Sequence, residues 1–250
     1  MKNEYPCIFV PEYLASSSDI TLQYFVSDGS VNPLSAITQQ FVEAGKYGAY
    51  ALEHIHPAQS SIFCQDYGGE RSTIFVLKTQ AITPNAFQIL RNMASRLSLD
   101  ETMVSKIEIS SEREARKKEL PVPDEENEED VYPTQSDKIG FRVNWEDSDF
   151  AKSRRMLVEM RTQPEPDAVY ALQDYVKPWY EILEAGGFAL PVGHPAETEC
   201  IAGMVTQFDE FSCEIAVDRF LASETAWNVL VNMIGHYSQN VSPVSQVMID

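Results

Sequence analysis

"TPNAFQILRNMASRLS" (residues 83–98) and "SETAWNVLVNMIGHYS" (residues 223–238) are two versions of one segment, 140 residues apart in a chain of 250. Extended without gaps from Pro84–Ile109 onto Glu224–Ile249, the match gives eight identities in 26 positions: Ala86/Ala226, Leu90/Leu230, Asn92/Asn232, Met93/Met233, Ser98/Ser238, Val104/Val244, Ser105/Ser245 and Ile109/Ile249. Chance gives about one or two in such a window, so the pattern reads as a tandem duplication. Each version predicts an amphipathic helix followed by a strand. Ala86, Leu90, Met93 and Leu97 form one apolar stripe, which Ala226, Leu230, Met233 and Tyr237 repeat. A helix packed on a sheet is the simplest use of such a stripe. Asn92 and Asn232 lie off it, and as matching polar residues they are candidates for a repeated contact surface.

Working outward, Glu43-Ala44-Gly45 answers Glu184-Ala185-Gly186, and His56-Pro57 answers His194-Pro195, at offsets between 138 and 141. In the first copy the pattern predicts a helix in "NPLSAITQQFVEAG", a strand in "STIFVLKTQ", and a Thr83 cap with Pro84 in the helix's first turn. In the second it predicts a strand in "KIGFRVNW", a helix in "DSDFAKSRRMLVEMRTQ", an extended or helix-end segment in "PDAVYALQDYV" (placed opposite "ITLQYFVSD"), and a helix in "KPWYEILEAGG". "CIAGMVTQF", "FSCEIAVDRF" and "VSQVMI" read as strands. The fold expected is α+β: a tandem duplication of ferredoxin-like α/β sandwich domains with mostly antiparallel sheets, over 1–111 and 138–250, packed as a homodimer would pack. Residues 112–137 form an acidic, proline-containing linker, in which Asp124, Glu125, Glu126, Glu128, Glu129 and Asp130 crowd seven positions. These six carboxylates, with Asn92 and Asn232, are the candidate partner-binding residues.

Charge narrows the function classes. Against 19 Lys+Arg stand 38 Asp+Glu, a formal net charge of −19. Such a field repels phosphate backbones, which argues against direct nucleic-acid binding, and it speeds encounter with a basic protein. No run approaches the roughly 18 apolar residues that cross a membrane. The four cysteines (Cys7, Cys64, Cys200 and Cys213) show no C-x-x-C spacing and read as reduced thiols, so a cytoplasmic location is expected. The oligomeric state is not legible.

Motifs for chemistry are sparse. In "EHIHP", His54 and His56 on a strand would face one side and could share a cation with Cys64 or Asp66. Cys64 beside a histidine is also a conceivable nucleophile. The alternative function is therefore a metal-dependent enzyme or small-molecule-sensing module centred on His54, His56 and Cys64. "DYGGERS" precedes a strand and reads as a hairpin turn, with no phosphate-binding loop in the chain. No catalytic residue and no cofactor is expected.

From about Asp149 to Ile249 the order of features resembles the family of regulators of ribonuclease E activity, B type. "RRMLVEMRTQPEPDAVYALQDYV" is similar to that family's opening helix, turn and Asp-Ala-x-Tyr segment. "WYEILEAGGFAL" resembles its second helix running into a Gly-aromatic strand, and "ETAWNVLVNMIGHYS" takes the place of its last long helix. The family's Gly-rich aromatic ending is replaced by "QNVSPVSQVMID". The resemblance implies a small, acidic, non-catalytic protein that inhibits an enzyme by binding it. The expected partner is thus a basic protein, with a ribonuclease as one candidate, and a toxin-neutralising immunity protein is a close cousin of that reading.

Overall fold

A computed structural model describes residues 17–28, 31–52, 55–69, 72–100, 103–111, 136–146, 153–188, 201–218 and 223–250. The first half runs β1 (Ser17–Asp28), α1 (Asn32–Lys46), β2 (Ser61–Tyr67), β3 (Ser72–Gln80), α2 (Ala86–Asp100) and β4 (Met103–Ser111). After a single helical turn, α3 (Ser136–Ile139), the second half runs β5 (Arg142–Trp145), β6 (Ser153–Met160), α4 (Pro166–Glu184), β7 (Ile201–Gln207), β8 (Ser212–Asp218), α5 (Thr225–Asn240) and β9 (Val244–Ile249). The protein is mixed α/β, with two sheets dominated by antiparallel pairs.

The strand orders repeat. One sheet is β2-β3-β1-β4; the other is β5-β9-β6-β8-β7, which contains the same order with β5 added parallel to β9 at one edge. In each central strand alternate residues are buried: Ile20, Leu22 and Tyr24 in β1, Met156, Val158 and Met160 in β6. The irregularity in strand pairing repeats too. Val26 pairs with Val104 directly after Phe25 pairs with Lys106, leaving Ser105 over; Met160 pairs with Val244 after Glu159 pairs with Gln246, leaving Ser245 over. Ser105 Oγ donates to the Phe25 carbonyl and Ser245 Oγ to the Glu159 carbonyl, both at 3.0 Å. The serine identity in the sequence is thus a bulge residue used twice, its hydroxyl tying the extra residue to the neighbouring strand.

The helices carry matching aromatic trios. Phe41 lies 4.5 Å from Tyr50 and 5.8 Å from Phe87 between ring centroids; Trp179 lies 6.3 Å from Phe188 and 5.4 Å from Trp227. All six rings are buried. Each trio joins the mid-helix residue of α1 or α4, the residue after that helix's terminating turn, and the first turn of α2 or α5. Burial of such rings supplies a large part of a core's stabilisation, about 1.5–3 kcal/mol for a side chain the size of Phe.

Several sequence expectations need correction. Residues 153–160 are strand β6 rather than helix, because Met156, Val158 and Met160 alternate into the core between β8 and β9. "PDAVYALQDYV" and "KPWYEILE" form one 19-residue helix, α4, with Pro178 inside it. β1, which contains "ITLQYFVSD", therefore answers β6 and not the "AVYALQDYV" segment. The helix ends also realign. Gly48 (φ +76°) and Gly186 (φ +75°) hold the left-handed conformation that ends α1 and α4, so the offset there is 138 and Gly45 does not match Gly186. "KIGFRVNW" splits into the end of α3 and strand β5. Of the proposed linker only Ser136 and Asp137 are described, and they begin α3.

Candidate functional site at the seam between the halves

α1 packs against α4, and the 3-10 turn Pro57–Gln59 of the first half packs against α5 of the second. The seam is closed by a reciprocal pair of hydrogen bonds. Asn92 Nδ2 on α2 donates to the Gly187 carbonyl at 3.0 Å, and Asn232 Nδ2 on α5 donates to the Ala49 carbonyl at 3.2 Å. Ala49 and Gly187 are equivalent, each one residue beyond the left-handed glycine. A carbonyl past a helix terminus has no helical partner, and here the other half's asparagine supplies the donor. Asn92 and Asn232, expected among the partner-binding residues, are instead engaged inside the molecule, where each half grips the other.

One side of the seam carries a titratable cluster. Tyr47, at the end of α1, and Tyr175, on α4, have ring centroids 4.2 Å apart. The Tyr175 hydroxyl is 2.9 Å from His236 Nδ1, and the His236 ring stands edge-on to Tyr47 at 6.4 Å. Asn240 Nδ2 also approaches His236 Nδ1, at 3.3 Å, while donating to the His236 carbonyl at 2.8 Å. Tyr175 and His236 thus share one hydrogen bond through Nδ1, while the Asn240 amide is anchored on the His236 carbonyl. Burial, followed by the nearby His56, pushes the His236 pKa down; burial alone lowers that of His56. Tyr175 is pushed up to about 12 by burial and by Tyr47. The cluster is thus neutral near pH 7. The cluster is not mirrored across the seam: the positions of Tyr175 and His236 in the first half are Ile37 and Arg96.

Other predicted site residues are scattered. His56 lies before the Pro57–Gln59 turn, not in a strand, and its Nδ1 accepts from the Ala58 N–H at 3.2 Å. Cys64 sits on β2, half-buried, its thiol pushed up to about 11 by burial and by Asp66, which keeps it protonated and a poor nucleophile or ligand. His54 and the acidic run Asp124, Glu125, Glu126, Glu128, Glu129 and Asp130 lie outside the described residues, as does Cys200. Among the described residues no three His, Cys, Asp or Glu are grouped to hold a metal ion. Cys213 is buried in the core, as its apolar strand suggests.

Two surfaces carry no signal in the repeat or motif pattern of the sequence. α4 exposes Asp167, Tyr170, Asp174, Lys177 and Glu184, with the partly exposed Glu181 in the same row. The spacing of three and four residues puts them on one stripe about 25 Å long. Its lone cation, Lys177, is 4.0 Å from Glu181. The second surface is the β7–β8 turn, where Phe208 and Phe211 are 62% and 49% exposed. A shallow depression on the outer face near the second bulge is lined by Gly140, Phe141, Arg142, Glu159, Ser245 and Gln246. No helix among the described residues is long and apolar enough to cross a membrane.

No protein-family model matches the chain, and no curated protein does. Among solved structures, similarity is found to a protease from Helicobacter pylori (10% identity, TM-score 0.23, 88% of this chain and 74% of that one). An unknown protein from Galdieria sulphuraria (14%, TM-score 0.18, 94% and 96%) is also similar. A third is a heme-binding protein from Thermus thermophilus (13%, TM-score 0.20, 98% and 94%). TM-scores this low bear on neither fold nor activity.

Proposed function

We propose that the chain is a non-catalytic regulatory protein, built from two ferredoxin-like βαββαβ halves, that binds and inhibits a basic protein partner. The acidic stripe of α4 carries the reading. Asp167, Asp174, Glu181 and Glu184 line one exposed helix face around Tyr170, and a single lysine offsets them. Carboxylates displayed in register on a rigid helix complement a basic groove, and an aromatic among them adds contact area of the kind that anchors interfaces. The polar groups at the seam point the same way: the asparagine amides and the Tyr175–His236 pair are engaged inside the chain. A ribonuclease is the partner class that the family resemblance suggests, and strong acidity suits an inhibitor of an enzyme whose active groove binds polyanions.

The test is titration of the full chain into a ribonuclease E-type endonuclease, with complex formation and RNA cleavage both measured. We expect an equimolar complex that inhibits cleavage and weakens steeply as salt rises beyond about 0.1 M. Asp167→Asn/Asp174→Asn/Glu184→Gln should weaken it about 10-fold or more, the loss expected from uncovering several complementary charges. Absence of a complex at low salt with this enzyme and with other basic nucleases defeats the proposal.

A further inference from the structure

The β7–β8 turn is where the two halves part company. Tyr67 pairs with Ile74 and Thr206 with Glu214, equivalent positions in the two sheets, yet six residues link the first pair and seven the second. The first half's turn contains Gly68-Gly69; the second half's contains Phe208 and Phe211, which flank Asp209-Glu210. Neither phenylalanine contributes to the core, and both stand exposed.

The turn is rigid. The Asp209 carboxylate accepts from the N–H groups of Phe211 and Ser212, both at 2.8 Å, and its pKa is lowered, first by the Phe211 N–H. The Phe208 N–H donates to the Ser212 carbonyl at 2.8 Å, and Gln207 Nε2 to the Asp209 carbonyl at 2.9 Å. A backbone braced this way loses little freedom on docking. The turn also sits at the same end of the molecule as the start of α4. The Met160 N–H donates to the Phe211 carbonyl at 2.7 Å, and α4 begins six residues later. Gln173 Nε2, on α4, donates to the Val205 carbonyl of β7 at 3.0 Å, and Tyr170, 64% exposed, is one helical turn earlier.

We propose that this end of the second half, with Tyr170, Phe208 and Phe211 set among Asp167, Asp209 and Glu210, docks an amphipathic segment of a partner protein whose aliphatic side chains alternate with lysine or arginine. The inference rests on the reading of an acidic protein-binding regulator and places its apolar anchor. Charge selects the occupant: carboxylates beside each ring repel an anionic lipid surface, and a net charge of −19 on each molecule opposes a second copy. Aliphatic side chains seated on the rings, between cations that meet the carboxylates, answer both features.

The experiment uses the full chain with two labelled probes, a synthetic Leu/Lys amphipathic helical peptide and poly-lysine, followed by fluorescence anisotropy. Phe208→Ser/Phe211→Ser should bind the Leu/Lys peptide at least about 10-fold more weakly, as loss of anchor residues does. It should hold poly-lysine unchanged, and Phe63→Ser, an equally exposed ring on the other half, should affect neither. Circular dichroism checks folding, and Tyr170→Ser serves if the double variant fails that check. Undiminished peptide binding by the variant, or an equal loss in Phe63→Ser, overturns the docking site and leaves the acidic reading standing. Binding to phosphatidylcholine vesicles that Phe208→Ser/Phe211→Ser abolishes overturns it in favour of a lipid surface. Failure of both probes to bind wild-type protein overturns the acidic regulator itself.

Discussion

Tyr50 is buried with a hydroxyl that has no hydrogen-bond partner among the described residues, and burial drives its pKa well up. Its counterpart in the second aromatic trio is Phe188, so the same packing position works without the oxygen. Tyr50→Phe should therefore stabilise the protein by about 1 kcal/mol, the order of the penalty for an unsatisfied buried hydroxyl, readable as a higher urea midpoint at unchanged slope. Histidine protonation works against the seam. His56 and His236 have folded pKa values below the unfolded value, so stability is complete above the ordinary imidazole pKa of about 6.5 and falls as pH drops from there toward the folded values, because the unfolded chain takes up protons first. Thermal melts from pH 7.5 to 5 should show this decline, and His236→Gln should flatten it. A decline as steep in His236→Gln as in wild type would place the proton uptake elsewhere. Little of this cluster was legible in the chain: Tyr175 and His236 are 61 residues apart, and no repeat flags them because the first half holds Ile37 and Arg96 instead.

At the level of elements, the turns that end α1 and α4 set how closely the halves approach. A Cβ on Gly187 would lie 2.5 Å from Ile182 Cγ2 and 2.9 Å from Ile89 Cγ2, one on the helix it follows and one across the seam. Gly187→Ala should cost about 1–3 kcal/mol through overpacking, measured by chemical denaturation. A loss confined to a few tenths would mean that the seam gives way easily. The repeated helices α2 and α5 could be read from their stripes, since Ala86, Leu90, Met93 and their counterparts follow a period that only a helix satisfies. β6 could not. Met156, Leu157 and Met160 fit helical spacing as well as Met156, Val158 and Met160 fit a strand, and pairing with β8 and β9 decides between them. The sequence places a break between Val176 and Lys177, next to Pro178, whereas burial of Val176 and Trp179 on either side of that proline carries one helix through it.

For the molecule as a whole, the seam makes the halves mutual partners. Ile89 and Met93 of the first half approach Gly187 of the second, Pro57 approaches Gly235, and the two asparagines cross between them. Separately produced fragments 1–111 and 138–250 should therefore associate on mixing and elute together in gel filtration. Asn92→Leu/Asn232→Leu should weaken that association, since each change leaves a carbonyl beyond a helix end without its donor. Fragments that stay apart would show that the halves are held together mainly by their covalent connection. The repeat of elements was legible in the sequence because core positions recur, whereas the acidic stripe and the aromatic turn were not, because neither has a counterpart in the other half.

The aromatic trios also make the molecule its own two-channel reporter. All three tryptophans, Trp145, Trp179 and Trp227, belong to the second half, while the first half's equivalent rings are Phe41 and Phe87. Light absorbed at the red edge of the tyrosine band therefore reports the second half alone, with no label and no mutation. Far-UV circular dichroism reports both. Coincident melting curves by the two signals would mean that the seam makes one cooperative unit of the pair, and a fluorescence transition displaced from the dichroism would give the stability of one half in the presence of the other.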